Sequence, residues 1–214
     1  MRGAAAGCHA GGLRHLSLPR LEPPGQWNHR SRIGTLKPAA MRTRTMIVIR
    51  AESAADWRVI REVNVRAFGR DDEARLVEAL RASADFAAAL SLVAIDDGRV
   101  VGHILFSGIH IRTVERLLPA LALAPVAVLP ERQNQGIGSA LIRHGLEECR
   151  RLGHRIVVVV GHPNYYPRFG FSSARAKGLD APFPDAAFMV QELVAGALDG
   201  VCGTVEYPSA FVGV

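Results

Sequence analysis

Two glycines, Gly136 and Gly138, stand one residue apart between an apolar run and a helical pattern. Residues 121–129 are too apolar for a half-exposed strand, so we predict a central strand there, followed by a helix to about Leu152. The first N–H groups of a helix lack intrahelical partners, and the helix dipole leaves that end partly positive. Because glycine has no side chain, an anion can approach these donors closely. The spacing therefore predicts a phosphate or pyrophosphate site.

Two better-known glycine-rich phosphate loops do not fit these residues. A P-loop needs a lysine after its last glycine, where this chain has Ser139 and Ala140. A dinucleotide fingerprint needs a third glycine, where Leu141 stands, and an acidic residue after the next strand, where Gly161 and His162 stand. The alternative of a glycine-rich helix start that binds no ligand stays open.

The sequence around the glycines resembles the acetyl-coenzyme A signature of the GNAT (general-control-related N-acetyltransferase) superfamily. Three segments carry the resemblance in order and spacing: LAPVAVLP, QNQGIGSALI and, downstream, NYYPRFGF. The resemblance covers residues 46–214, and its last segment is similar to that of a bacterial subgroup of small predicted acetyltransferases. It implies a GNAT-like acyl-CoA N-acyltransferase fold of the α/β class, with a central mixed β-sheet flanked by helices. It also implies acetyl-CoA as co-substrate and no metal.

The resemblance assigns cofactor binding mainly to backbone groups. The strand would hold the pantetheine arm, with the Val128 N–H polarising the thioester carbonyl. Pro125 cannot donate to a strand ladder, and it fits the bulge that family members carry near this point. The implied cofactor-binding residues are Val126, Ala127 and Val128 on the strand, and Gln133, Asn134, Gln135, Gly136, Ile137, Gly138 and Ser139 in the pyrophosphate loop.

The resemblance also implies a catalytic tyrosine. In the family, a tyrosine four residues before the glycine of a Y-x-x-x-G-F ending protonates the leaving thiolate, and Tyr166 has that spacing. A phenol with a pKa near ~10 is protonated at neutral pH and can donate. Tyr165 is the competing assignment, and an aromatic pair that only packs is the other alternative. Pro163 and Pro167 limit the local helix to about one turn, so we assign no cofactor role to Asn164.

The sequence does not identify a general base. Family members often carry a carboxylate on or near the strand at 121–129, and this chain has none there. His110, His162 and Glu206 are the candidates, and an acceptor amine of low pKa would need no base. His103 and His110 are an odd number of residues apart on one predicted strand, so they face opposite ways and form no metal pair.

The remaining patterns predict the elements around this site. Residues 46–51 alternate as a first strand, and Ser53 caps the helix that follows. DDEARLVEALRAS indicates a second helix, and Asp97-Gly98 marks the turn of a β-hairpin. RIVVVV predicts a strand that completes a right-handed parallel crossover, and AFMVQELV and GTVEYPSAF predict closing strands. The apolar positions of the first helix are Trp57, Ile60, Val63 and Phe68.

Residues 1–45 differ from the rest of the chain. They show neither helical nor strand periodicity, which predicts a disordered basic tail, and we favour translation from Met41 or Met46. Eight of the 26 basic residues lie in this tail beside one acidic residue, so residues 46–214 hold 18 basic and 19 acidic residues. The charge of the second predicted domain, residues 46–214, is therefore nearly balanced, and we predict no nucleic-acid surface on it.

The apolar runs and the cysteines indicate whether the chain spans a membrane and in which compartment it lies. No run of eighteen apolar residues indicates a membrane span. Cys8, Cys149 and Cys202 are odd in number and form no C-x-x-C, so neither a disulfide framework nor a zinc knuckle is predicted. We expect Cys149 to be buried and inert. These observations favour a reducing compartment, the cytoplasm.

The resemblance implies an enzyme that moves the acetyl group of acetyl-CoA to an amine by direct attack in a ternary complex. The acceptor is a small-molecule or peptide amine, whose pocket we expect in residues 68–90 and 109–120; a monomer and a homodimer both stay open. The alternatives are a non-catalytic acyl-CoA-binding or sensor domain on the same fold, and a nucleic-acid-binding protein that uses the basic tail.

Overall fold

The computed structural model describes residues 46–212; the predicted tail at 1–45 lies outside them. The described residues form a mixed sheet of nine strands. These are β1 (Val48–Ala51), β2 (Phe86–Asp96), β3 (Arg99–Arg112), β4 (Leu117–Val128), β5 (Ile156–Val160), β6 (Ser172–Ser173), β7 (Leu179–Asp180), β8 (Phe188–Glu192) and β9 (Gly203–Glu206). The main path of the sheet runs β1-β2-β3-β4-β5-β8-β6, while β9 pairs with β3 and β7.

Three helices cover the two faces of the sheet: α1 (Trp57–Phe68), α2 (Asp72–Arg81) and α3 (Ile137–Arg151). Successive residues of a strand point to opposite faces. On β2, Leu92 packs into the core beneath α3, whereas its neighbour Val93 packs with residues of α1 and α2. The predicted mixed sheet with helices on both faces is therefore confirmed.

Ser53 was predicted to cap α1, but it is the N-cap of a short 3-10 turn (Ala54–Asp56), and Asp56 is the N-cap of α1. The Ser53 N–H donates to the Asp56 carboxylate at 2.7 Å, which fixes a short 3-10 turn before α1. Ile60 and Val63 are buried as predicted. Trp57 and Phe68 were assigned to the same apolar face, but they are 50% and 40% exposed. They are the first and last residues of α1, where the side chains are partly open to solvent.

The predicted strand connections are confirmed. The hairpin from β2 to β3 turns at Asp97 and Gly98, both of which have positive φ. β4 and β5 run parallel on either side of α3, which completes the crossover. The closing strands separate: β8 pairs with β5, whereas β9 lies beside the far end of β3. The two-residue strands β6 and β7 are too short for periodicity to predict.

A buried polar network joins α1 and α2 to the sheet. The Arg81 guanidinium donates to the Glu52 carboxylate at 2.7 Å, and the Ser91 hydroxyl contacts both Glu52 and Nε2 of His103. On the other side of the ring, Nδ1 of His103 lies 3.3 Å from the side-chain amide of Asn64. Burial lowers the pKa of His103 against the opposing influence of Glu52, so the imidazole is neutral in the folded protein. His103 faces the α1 side while His110 is exposed on the other, as predicted.

None of the helices in residues 46–212 is both long and apolar enough to cross a membrane.

Candidate active site

A gap between β4 and β5 lies at the centre of the site. The two strands pair only where Leu121 meets Val157 and Ala122 meets Val158, although both continue beyond these positions. The β3–β4 register shifts just after this point, because the chain around Pro125 holds an extra residue opposite β3. A bulge bends the strand that carries it. The bulge and the loss of pairing together open the sheet, and the bulge itself was expected at Pro125.

The bulge also determines which backbone groups face the gap. The Leu129 N–H donates to the Val101 carbonyl of β3 at 2.9 Å. Antiparallel ladders alternate, so the backbone groups of Ala127 likewise point to β3, while those of Val126 and Val128 point away from it. In the described residues, Val126 and Val128 thus present an unpaired strand edge to the gap. Ala127 is fully buried.

A cavity of about 840 Å³ passes through this gap and opens towards both faces of the sheet. This volume is in the range of small-molecule and cofactor sites. We call the part beside α3 the cofactor end; it is lined by Val126, Val128, Gln133, Asn134, Gly136, Ile137, Gly138, Ser139, Tyr165 and Arg168. We call the part beside α1 and α2 the acceptor end; it is lined by Phe68, Arg70, Glu73, Leu76, Phe183, Tyr207 and Phe211.

The start of α3 forms the floor of the cofactor end. Gly136 is the N-cap with φ of 85°, a left-handed conformation that favours glycine, and no side chain caps the helix. The first helical hydrogen bond runs from the Ala140 N–H to the Gly136 carbonyl, so the N–H groups before it have no acceptor inside the helix. At Gly138, a Cβ atom would lie 3.3 Å from the Tyr165 hydroxyl and 3.6 Å from the Val128 side chain. The glycine thus keeps these donors accessible.

Eight of the ten predicted cofactor-binding residues line the cavity, and Ala127 and Gln135 do not. Ala127 is directed towards β3, and the Gln135 side chain donates to the Glu131 carbonyl at 3.1 Å. The Gln133 amide donates to the Val128 carbonyl at 3.1 Å, so it joins the loop to the strand edge. This role of the Gln133 side chain has no counterpart in the sequence-based prediction, which concerned only its backbone.

The two tyrosines of NYYPRFGF both line the cavity but have different surroundings. The Tyr165 hydroxyl lies 3.4 Å from Oγ of Ser139, and the Arg168 guanidinium lies 4.2 Å from the Tyr165 ring centre. The Tyr166 ring packs against the backbone of Gly161, where a Cβ atom would stand 2.3 Å from the ring. Burial raises the pKa of Tyr166, so its phenol stays protonated at neutral pH.

Only one of the three candidate bases lies in the cavity wall. His162 lines the cavity directly after β5. His110 and Glu206 face each other across the β3–β9 pair, outside the cavity lining, and Glu206 accepts from Arg112 at 2.9 Å. Their assignment as candidate bases is not supported by this placement. Asn164 is also outside the lining.

The acceptor end contains residues that the sequence did not indicate. Of the two predicted acceptor segments, 68–90 supplies several lining residues, whereas none of residues 109–120 lines the cavity. Glu73 is buried, with Arg70 donating to it at 3.2 Å from Nε. Phe183, Tyr207 and Phe211 are brought in from the last 32 residues of the chain. No local spacing relates these positions, since only the sheet pairings bring them together.

Other reactive groups are not part of this site. Cys149 is buried in α3, and burial raises its thiol pKa to about 12, which makes it unreactive as predicted. Within residues 46–212, no group of three or more His, Cys, Asp or Glu side chains could hold a metal ion.

Comparison with known proteins is consistent with this architecture. Residues 48–174 match the family model of the acetyltransferase (GNAT) domain. The chain is 46% identical over 143 residues to the uncharacterized N-acetyltransferase YjhQ of Escherichia coli K12, covering 64% of this chain and 78% of YjhQ. It is 37% identical over 168 residues to the uncharacterized N-acetyltransferase YhbS of the same strain, covering 77% of this chain and 98% of YhbS.

Solved structures give the same result. The crystal structure of Escherichia coli YhbS in complex with CoA superimposes with a TM-score of 0.73 at 34% identity, covering 83% of this chain and 96% of that chain. A GNAT family acetyltransferase from Brucella melitensis in complex with acetyl-CoA gives 0.65 at 36% identity, covering 78% and 99%.

The fold and the site define an N-acyltransferase of the acyl-CoA-dependent class. The chain belongs to the GNAT acetyltransferase family. The predicted family, fold class and class of enzyme, an acetyl-CoA-dependent N-acetyltransferase, are confirmed by these matches. The predicted co-substrate, acetyl-CoA, agrees with the molecules bound in the two related structures.

Proposed function

We propose that this chain moves the acetyl group of acetyl-CoA to an amine by direct attack in a ternary complex, with Tyr166 as general acid. One observation carries the proposal: a single cavity connects the open N-terminus of α3, the unpaired edge of β4 and the Tyr166 ring with a separate acceptor end. Both reactants can therefore enter from different faces of the sheet and meet in the gap.

The cofactor end fits the chemical groups of acetyl-CoA. The uncapped N-terminus of α3 and the glycines before it suit the pyrophosphate. The backbone edge at Val126 and Val128 suits the amide groups of the pantetheine arm, as an added strand partner would. Arg168 is charged and lines the same end of the cavity, where it suits a phosphate oxygen.

The transfer step balances without a covalent enzyme intermediate. The nitrogen lone pair of the neutral amine attacks the thioester carbon, and the carbonyl oxygen takes the developing charge beside the Val128 N–H. A C–N bond forms and the C–S bond breaks, and the Tyr166 hydroxyl gives its proton to the leaving thiolate. The new amide nitrogen loses one proton to solvent, and Tyr166 regains one. The products are the N-acetylated amine and free CoA.

His162 is the candidate that can pass the amine proton to water, since it is the one candidate base in the cavity wall. A neutral imidazole suits this task near neutral pH. A cytoplasmic location, the two-domain division at residue 45 and the oligomeric state stay predictions.

The experiment is release of free thiol from acetyl-CoA in the presence of an amine panel, with Tyr166→Phe and Tyr165→Phe as a matched pair. General acids contribute about 10²–10⁴-fold to rate, so we expect kcat of Tyr166→Phe to fall by about that factor with unchanged affinity for CoA. Tyr165→Phe should keep kcat and weaken CoA binding slightly, because its hydroxyl lies beside Ser139. The opposite pattern would move the acid role to Tyr165. Tight CoA binding without turnover of any amine would favour the sensor alternative.

A further inference from the structure

The acceptor end of the cavity has a composition that restricts its ligand. Among the described residues that line the cavity, Glu73 carries the only carboxylate. The Glu73 side chain is only 10% exposed, although a carboxylate is costly to bury without compensation. Its partner Arg70 lines the same end of the cavity but is 45% exposed, so solvent screens its charge more than that of Glu73. A ligand ammonium at the acceptor end can therefore share the Glu73 carboxylate with Arg70.

The walls around Glu73 are aromatic and apolar. The Tyr207 ring packs edge-on against Phe183, with ring centres 5.5 Å apart, and against Phe211 at 5.1 Å. Phe211 also packs against the core beneath α1 and α2, which fixes the group on that face of the sheet. Phe68 and Leu76 complete the apolar lining. Such a wall favours a ligand with an apolar body, and an aromatic ring can pack against these rings in a stacked or edge-on arrangement.

Tyr207 contributes a polar atom without a partner. Its hydroxyl is buried and makes no hydrogen bond within residues 46–212. A buried hydroxyl is costly to leave without a hydrogen bond, so such a group in a cavity wall points to a ligand atom. Burial raises the pKa of Tyr207, so the phenol is neutral and can donate to an oxygen of the ligand.

We propose that the acceptor is a primary monoamine with an aromatic or flat apolar body and one hydrogen-bonding oxygen, its ammonium group arriving beside Glu73 and its oxygen reaching Tyr207. A polyamine would place further charges against walls that carry no second carboxylate. A small polar amine would leave the aromatic rings in contact with water. The inference rests on the proposed function, since it concerns the amine that the same cavity acetylates.

The test is calorimetric titration of three probe amines into the CoA-bound full chain: tyramine, ethanolamine and spermidine. Burial of a phenyl ring is worth about 1.5–3 kcal/mol, so tyramine should bind at least about tenfold more tightly than ethanolamine. Spermidine should also bind at least about tenfold more weakly than tyramine, because its extra charges lack partners. The order of kcat/KM should follow the order of affinity.

Two matched variants test the role of Glu73. Glu73→Gln should weaken tyramine binding about tenfold and leave CoA affinity unchanged, because a charged hydrogen bond is worth about 1.5–3 kcal/mol. Glu78→Gln on the same helix is the control: Glu78 also pairs with an arginine, Arg61 at 2.9 Å, but lies outside the cavity. An unchanged CoA-induced rise in melting temperature shows that each variant is folded.

The outcomes separate this inference from the proposed function. Equal or tighter binding of ethanolamine or spermidine overturns the inference, as does equal tyramine binding by Glu73→Gln and the wild type. No binding of any probe to the CoA-bound protein also overturns it. The proposed function survives each of these results if CoA binds and another amine is acetylated, and it fails separately if neither CoA nor acetyl-CoA binds.

Discussion

The two ends of the cavity are built in different ways. The cofactor end consists mainly of backbone groups, namely the first turn of α3 and the free edge of β4 at Val126 and Val128. The acceptor end consists of side chains: Glu73, Tyr207 and several aromatic rings. Backbone donors recognise phosphates and amides whatever the neighbouring side chains are. Side-chain walls instead set the shape and charge of one ligand, so the difference separates a shared co-substrate from an individual acceptor.

If this division is correct, substitutions should change the chemistry, the binding of acetyl-CoA or the binding of the acceptor separately.

Gly161→Ala should reduce turnover through its effect on the Tyr166 ring. A Cβ atom at residue 161 would lie 2.3 Å from the Tyr166 ring, so the ring must move. Displacement of a reacting group by about 1 Å can cost about 10²-fold in rate, and we expect kcat to fall by about that factor. Affinity for CoA should be unchanged, because the added methyl group would contact the Tyr166 ring and not the residues of the α3 loop. Steady-state kinetics and CoA titration check both values.

Gly138→Ala should weaken the cofactor end alone. The added methyl group would stand 3.3 Å from the Tyr165 hydroxyl, in front of the helix donors. Because each charge-assisted hydrogen bond is worth about 1.5–3 kcal/mol, we expect the Kd of CoA to rise at least about tenfold. The Kd of the acceptor should not change.

Gly108→Ala is the control for both glycine variants. A Cβ atom at residue 108 would meet Asp85 at 3.5 Å, an ordinary contact, and Gly108 is outside the cavity. Gly108→Ala should leave kcat and CoA affinity unchanged. If it reduced them as much as Gly161→Ala or Gly138→Ala does, those losses would come from a general disturbance of the fold and not from separate cofactor and acceptor ends.

Tyr207→Phe should affect the acceptor end alone. Loss of its hydroxyl removes one neutral hydrogen bond, worth about 0.5–1.5 kcal/mol, so the acceptor KM should rise about two- to tenfold. Tyr165→Phe is the matched change at the cofactor end and should raise the KM of acetyl-CoA instead. If either variant changed the KM of the acceptor and the KM of acetyl-CoA by the same factor, the two ends of the cavity would not bind their ligands separately.

Acid should destabilise the face of the sheet that carries the acceptor end. The pKa of buried His103 is lowered, so the unfolded chain binds more protons than the folded protein below about pH 6.5. The contribution of His103 to the free energy of unfolding should therefore be constant above that pH and decrease as the pH falls. Burial alone raises the pKa of Glu52, but the nearby His103 ring and hydrogen bonds from Arg81 and Ser91 lower it to about 2, which extends the loss of stability below pH 4.5.

Guanidinium unfolding at pH 7.5, 6.0 and 5.0 measures this slope. His103→Gln keeps hydrogen-bonding groups but cannot titrate, so its slope between pH 6.5 and 5 should be smaller than that of the wild type. Equal slopes for the two proteins would show that His103 does not contribute to the acid sensitivity.

The cofactor end could be predicted from sequence because its determinants are local. The apolar run of β4, the two glycines and the start of α3 lie within about twenty consecutive residues, and their spacing alone places donors at the end of a strand. The predicted crossover, hairpin and flanking helices agree with the structure for the same reason, since each depends on periodicity within a short segment.

The acceptor end could not be predicted because its residues are distant in sequence. Phe68 and Phe211 line one cavity only because β9 and the residues after it return beside β3 and α2. Residues 109–120 extend β3 and β4 past the gap, which is why they contribute nothing to the lining. Glu73 lies in the acidic first turn of α2, and sequence alone does not show that it is buried.

The acetyl-CoA site is tested most simply by a thermal-shift titration of the full chain with acetyl-CoA, beside free CoA, NAD and ATP. A ligand at a hundred times its Kd adds about 2.7 kcal/mol, so the melting temperature should rise by several degrees. We predict this rise with acetyl-CoA and CoA and none of similar size with NAD or ATP. No rise with either CoA species, or an equal rise with NAD or ATP, would contradict the claim that the end of the cavity beside α3 is an acetyl-CoA site.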